Sequence, residues 1–277
     1  MMRFKLCLVM TLAIGLSCAA LGAVPAGAAR EGGTESEPLS MLFDSELASG
    51  LALADTVPGS TGMVLPQLAF GGGWYTAMYF SNNTNTATTV TVNFYSGDGS
   101  PLTVPLSGLG PVSSQSVTVN ANGTTLLEAL NSGGLLQGWA EAILPPGVSG
   151  YGVFRQSVSG VPDQEAVSPL SDESKQVANL TWDETSFVTG VAAVNPSGSA
   201  TTVSVTVYAD DGSVIGTSSF DLAAHGKTAF ALRSLPGLAG VTARRGYARF
   251  SVTNGAVSVL GLRFNGTAFT SIPVTYQ

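Results

Sequence analysis

Apolar and polar residues alternate through residues 88–95 (Thr-Thr-Val-Thr-Val-Asn-Phe-Tyr) and again through residues 201–208 (Thr-Thr-Val-Ser-Val-Thr-Val-Tyr). A period of two sends every second side chain to one face, so each stretch predicts a strand with one buried side. In the first, Val90, Val92 and Phe94 form the inward set, with Thr91, Asn93 and Tyr95 opposite. Burying each of the three contributes ~1.5–3 kcal/mol. Both stretches run into a Gly-containing hairpin turn, Asp98-Gly99-Ser100 and Asp211-Gly212-Ser213. The spacing is 113 residues from Val90 to Val203 and again from Gly99 to Gly212. One pattern written twice at a fixed interval predicts a duplicated unit.

The alternation continues on either side, punctuated by turn residues. Residues 63–70, 74–81, 102–106, 113–119, 124–129, 138–144 and 151–155 read as further strands of the first unit. Gly71-Gly72-Gly73, Asn122-Gly123 and Pro145-Pro146-Gly147 are among the turns between them. Short strands at such intervals indicate a sandwich or barrel. The polar cluster Ser171-Asp172-Glu173-Ser174-Lys175 marks the expected boundary, and residues 176–182 restart the pattern. Trp74 answers to Phe187, Thr76 to Thr189, Asn82 to Asn195, Trp139 to Tyr247, Gly152 to Gly261 and Pro169 to Pro273. Asn122-Gly123 answers to His225-Gly226 once about ten residues are dropped from a loop, the usual place for such a change. The expected organisation is a signal peptide at 1–29, an acidic flexible leader at 30–61, and β-sandwich domains at 62–171 and 172–277.

Asn195-Pro196, Ala200-Thr201-Thr202-Val203, Asp211-Gly212 and Pro236-Gly237-Leu238-Ala239-Gly240 form a series, completed by Gly261-Leu262-Arg263-Phe264-Asn265 and Phe269-Thr270-Ser271-Ile272-Pro273. It resembles the secreted tandem Ig-like β-sandwich repeats of uncharacterised bacterial exported proteins. The resemblance covers residues 60–277 and is closer in the second copy, since Asn83 stands where Pro196 does. It implies an all-β chain of two tandem Ig-like antiparallel β-sandwich domains outside the cell. The family brings no assigned catalytic residues.

The N-terminus reads as an address. Arg3 and Lys5 precede an apolar run over residues 6–16, and Ala26-Gly27-Ala28-Ala29 offers a small-residue cleavage site after Ala28 or Ala29. Gly15, Gly22 and Pro25 interrupt the run, which is short of the ~20 residues a membrane helix needs. A lipoprotein cut before Cys18 is the alternative, although Leu16 sits one place late for it. The expected location is therefore secreted or cell surface, with no membrane span in the mature chain. Cleavage removes both cysteines, Cys7 and Cys18, and with them any disulfide. Of 11 basic residues two, Arg3 and Lys5, leave as well, so 9 remain against 18 acidic ones and the net charge becomes −9. Such a surface argues against nucleic acid or anionic membrane as a partner.

Candidate chemistry is sparse. His225 is the one histidine, in a predicted exposed turn, and cannot by itself build a two-histidine metal site. Asp98-Gly99 and Asp210-Asp211-Gly212 lack the ligand spacing of a calcium loop and read as tight turns. Glu128, Glu141, Asp183 and Glu184 are the carboxylates near predicted strands, with nothing to single them out for sugar hydrolysis. No catalytic, metal or cofactor site is expected, and the chain reads as a non-enzyme. Trp74 and Trp139 have aromatic counterparts and are expected in the cores. Trp182 has none and is expected between the domains or exposed. Trp182, Tyr95 and Tyr208 are the candidates for stacking on a sugar. The leading expectation is a secreted or surface structural and interaction protein with an unidentified partner, an extracellular glycan or another surface protein. A pair of carbohydrate-binding modules is the alternative. A membrane β-barrel fits the alternation but not the domain-length repeat.

Overall fold

The computed structural model describes residues 58–277. The expected signal peptide, the Cys18 alternative and most of the leader lie outside the described residues. The architecture is all-β. In the first copy the strands are β1 (Thr61–Phe70), β2 (Trp74–Asn82), β3 (Thr88–Ser96), β4 (Val104–Leu106), β5 (Gly110–Val112) and β6 (Ser114–Val119). They continue with β7 (Thr124–Ala129), β8 (Leu136–Leu144), β9 (Val148–Gln156), β10 (Gln164–Pro169) and β11 (Ser171–Asp172). In the second copy they are β12 (Val177–Asp183), β13 (Val188–Val194), β14 (Thr201–Ala209), β15 (Val214–Leu222) and β16 (Lys227–Ala231). Then follow β17 (Arg245–Ser251), β18 (Ser258–Asn265), β19 (Ala268–Ile272) and β20 (Val274–Tyr276).

These strands form four sheets, paired antiparallel throughout the described residues. Sheet I has the order β11-β1-β8-β3-β6 and sheet II β10-β9-β2-β7-β4-β5. Sheet III has the order β15-β14-β17-β12-β20 and sheet IV β16-β13-β18-β19. The run β12-β17-β14-β15 repeats β1-β8-β3-β6, and β19-β18-β13-β16 repeats β10-β9-β2-β7. The repeat seen in the sequence is thus a repeat of strand order.

Sheets I and II share one core, and sheets III and IV another. Val90, Val92 and Phe94 of β3 meet Met78 and Phe80 of β2 and Leu127 of β7. Val203, Val205 and Val207 of β14 meet Val191 and Ala193 of β13 and Val259 of β18. Removing these apolar faces from water is the main favourable term holding each pair together. The sets predicted from period 2 are the buried ones. Thr91, expected outward, is also buried, with its hydroxyl 2.9 Å from Ser116 Oγ.

The ten extra residues of the first copy are structured. They make β4 and β5, an edge hairpin of sheet II that sends Val104 and Leu106 into the core. The second copy closes the same end differently, with Leu232 and Val241 from two short 3-10 turns, Leu232–Ser234 and Ala239–Val241, and Leu238 just before the second. β10 supplies the edge of sheet II and was not expected from the sequence.

The described residues fall in one compact unit, and the two copies touch face to face. Val64 and Trp139 on the outward side of sheet I meet Val194 of sheet IV, with Tyr95 packed beside them. Ala69, Trp74, Phe154 and Ala166 meet Ala192, Leu260, Phe264 and Phe269. Trp74 stacks on Phe269 at 5.7 Å. This corrects the expectation for Trp74 and Trp139. Both are buried, but at the seam between copies, because each sits where the second copy covers its sheet. Tyr247, the counterpart of Trp139, has no such cover and is 41% exposed.

Candidate interaction faces

A buried asparagine in each copy holds a tight turn, and in the second copy that turn makes part of the seam. Asn195 Nδ2 donates to Ser199 O and Ala223 O, both at 2.8 Å, and its Oδ1 accepts from Ser197 N at 3.0 Å. Asn82 repeats this: Nδ2 donates to Thr86 O (2.8 Å) and Asn120 O (3.2 Å), and Oδ1 accepts from Thr84 N (2.9 Å). Each clamps the loop after its own strand to a tight turn. The turn tips, Asn122 and His225, have φ of 51° and 53°. That left-handed conformation suits Asn and is uncommon for other non-glycine residues.

In the second copy this turn lies on the first copy. The His225 ring stacks on Tyr95 at 5.1 Å and 10°, and Tyr95 stacks on Trp139 at 4.5 Å and 16°. Trp139 Nε1 donates to His225 O at 2.7 Å. Next to it Lys227 N donates to Gly97 O at 2.9 Å. His225 is therefore a turn residue, as expected, but covered rather than exposed, and its Nδ1 is buried with no partner among the described residues. Desolvation brings the Lys227 ammonium down to about 7. Elsewhere in the seam Gln67 Nε2 donates to Gln137 Oε1 at 3.2 Å, beside a cavity of about 30 Å³. That space suits about one water.

Two stacked tyrosine pairs stay on the outside. Tyr208 of β14 and Tyr247 of β17 stack at 4.5 Å and 10° on the outward side of sheet III, level with Thr181. Tyr79 of β2 and Tyr151 of β9 stack at 5.2 Å and 18° on the outward side of sheet II. Leu126 pairs with Tyr79 there and is 47% exposed, and Val167 one row on is 44% exposed. Tyrosines of this kind bring apolar area with a polar tip, which suits a binding surface.

The three proposed sugar-stacking residues are thus separated. Trp182 is 1% exposed, in the core of sheets III and IV with Ala178 and Leu180 on the same side of β12. It has no face to offer a sugar and does not lie between the copies, which corrects both expectations for it. Tyr95 is packed against Trp139 and His225 in the seam and is not presented as an open platform. Tyr208 alone remains on an accessible face, stacked on Tyr247, which sequence reasoning did not single out as a site residue.

The carboxylates take distinct places. Glu184 is buried, paired with Arg233 and accepting from Thr189 N at 3.0 Å. Burial pushes its carboxyl up, against the opposing pull of those partners. Asp98, Asp172, Asp183 and Asp211 each accept from the backbone N–H and hydroxyl of a Ser or Thr two residues on. These bonds lower Asp172, Asp183 and Asp211, and Asp98 is brought down to about 2 first by the Ser96 hydroxyl and then by Ser100. They are turn builders. Glu141 and Glu173 do converge. Burial, then the neighbouring Glu141 carboxyl, raises Glu173 to about 7. Tyr95 beside them is pushed up to about 12, chiefly by burial. Among the described residues no three His, Cys, Asp or Glu side chains come together to hold a metal. Nor, among them, is any helix long and apolar enough to cross a membrane. Compared with protein-family models, curated proteins and solved structures, the chain finds no match in any of the three.

Proposed function

We propose that this chain is a non-enzymatic, exported interaction and structural protein, made of two copies of an Ig-like antiparallel β-sandwich and acting at or outside the cell surface. Counted as blades, the four sheets also suggest a four-bladed propeller-like ring. A blade is a run of consecutive strands, whereas this chain passes back and forth between the two sheets of each pair. That interleaving, with one core per pair, favours sandwiches. Export rests on the segment 1–29 and its Ala-Gly-Ala-Ala site.

The observation that carries the interaction reading is the pair of outward tyrosine stacks, Tyr208–Tyr247 and Tyr79–Tyr151, each on the outward side of its sheet. The second reading is glycan binding, and Tyr208–Tyr247 favours it, since adjacent tyrosines on a Thr-rich sheet match the flat apolar face of a sugar ring. The exported protein is tested on a glycan array and against solubilised surface proteins, alongside Tyr208→Ala/Tyr247→Ala. Protein binding that falls about tenfold or more in the variant supports the main reading. Array signal lost in the same variant supports the second. Turnover of any substrate that disappears on changing one carboxylate overturns both.

A further inference from the structure

We propose that the chain assembles head to tail with further copies of itself, the outward face of sheet II of one molecule seating on the outward face of sheet III of the next. The inference rests on reading the chain as two copies of one unit. Within the molecule, the outward face of sheet IV already sits on the outward face of sheet I at Val64, Ala69 and Trp139, and also on one end of sheet II at Trp74, Phe154 and Ala166. Sheet II is the counterpart of sheet IV, and sheet III the counterpart of sheet I. Each molecule therefore leaves free the counterparts of the sheet I and sheet IV faces that meet inside it.

The correspondence holds residue by residue. Tyr95 and Trp139 stack under the second copy, and their counterparts Tyr208 and Tyr247 stack at the same 4.5 Å with nothing over them among the described residues. Gly99 is pressed against the second copy, where an added Cβ would collide with Ala224 O. Its counterpart Gly212 has the same backbone, φ 83° against 88°, and open space around it. On the opposite half, Ala192 and Leu260 are cross-strand neighbours buried in the seam. Their counterparts Tyr79 and Tyr151 are cross-strand neighbours left outside. The turn that caps Tyr95 has its counterpart at Asn122, in the same φ region and exposed. Where the seam carries Glu141, the free face of sheet III carries Arg249, opposite in sign to Glu128 on the outward side of sheet II.

One part of the seam is not repeated. Phe264 and Phe269 answer to Arg155 and Glu165, which form an exposed ion pair. The contact between molecules then lacks the aromatic cluster of the internal one and is weaker, so association depends on concentration. A contact of two unlike faces is not two-fold: it repeats from molecule to molecule, as an open chain or, where the rotation closes, as a ring.

The test is sedimentation velocity of the exported protein over a range of concentrations, with Tyr151→Lys on one face and Tyr247→Lys on the other. Both tyrosines are exposed, so neither change touches a core, and circular dichroism with thermal melting checks that folding is kept. The wild type is expected to form a ladder of species beyond the dimer. Each variant alone is expected to lose association by about tenfold or more. Mixed in equal amounts, they are expected to give a one-to-one dimer and nothing longer, since each retains the face the other lacks. A wild type that stays monomeric overturns the proposal, as does a dimer formed by either variant alone or a mixture without dimer. Association that appears only when residues 1–57 are removed overturns it too, since those residues then cover a face. A monomer that still binds surface protein or glycan through Tyr208 and Tyr247 overturns the assembly alone and leaves the interaction reading standing.

Discussion

Asn82 and Asn195 show how much one residue can organise. Each satisfies backbone groups from two loops that would otherwise be buried without partners. Asn195→Ala removes the donor to Ser199 O and Ala223 O and is expected to cost about 2–4 kcal/mol. It should also loosen the His225 turn from Tyr95. Asn82→Ala is expected to cost a similar amount and leave the seam intact, because its turn touches no second copy among the described residues. Urea unfolding of both variants, with Trp139 fluorescence as the seam reporter, checks the pair. The equivalence of Asn82 and Asn195 was legible in the sequence as an offset, but the reason for it, a buried amide joining two loops, was not. Trp182 was misread for a local reason. A β-bulge between Leu65 and Leu68 shifts the register of β1 on β8. Trp182, opposite Gly246, therefore answers to Leu68, opposite Gly138, and the fixed offset of 113 hides the match. Alternation along Ala178, Leu180 and Trp182 was the signal that could have found it.

At the scale of elements, the strands with clean alternation were the legible ones. β3, β14 and β7 follow from period 2 and their turns, whereas β5, β10 and β11 are short or polar edge strands whose existence depends on a neighbour. The closing of the two cores was not legible either, since the first copy uses a hairpin and the second two 3-10 turns for one task. The paired Asp-Gly turns give a test of what surrounds each element. Gly212→Ala meets only the strain of a positive φ, about 1 kcal/mol. Gly99→Ala adds a collision with Ala224 O and is expected to cost about 2 kcal/mol more. Thermal melting of the two variants side by side should show the larger fall for Gly99→Ala. Equal falls would mean that the seam is loose.

For the whole molecule, titration at and near the seam sets the response to pH. Glu173 sits at about 7, above its usual 4.5, with Glu141 and Asp172 as its charged neighbours. The folded chain thus holds that proton more tightly. Its stabilisation is complete below pH 4.5 and is lost as pH rises through about 7. Lys227 has the opposite displacement, from 10.5 down to about 7. Its penalty is full below about 7 and is relieved as pH rises toward 10.5. Stability is expected to fall from pH 4.5 to 7 and recover above it. Glu173→Gln should flatten the acid limb and Lys227→Met the alkaline one, as read from melting temperature against pH. Much of the fold could be seen in the chain, but the seam could not. Alternation says that Tyr95 and Tyr208 point outward, and only the tertiary arrangement decides which of them is covered.

Residues 173–176 alone carry the chain from β11 to β12. So short a connection, beside a packed seam, leaves little freedom for a hinge. One rotation and one translation therefore relate the two halves, and together they define a screw. Any longer stack that repeats the same contact inherits its pitch and handedness from a relation already fixed inside a single chain.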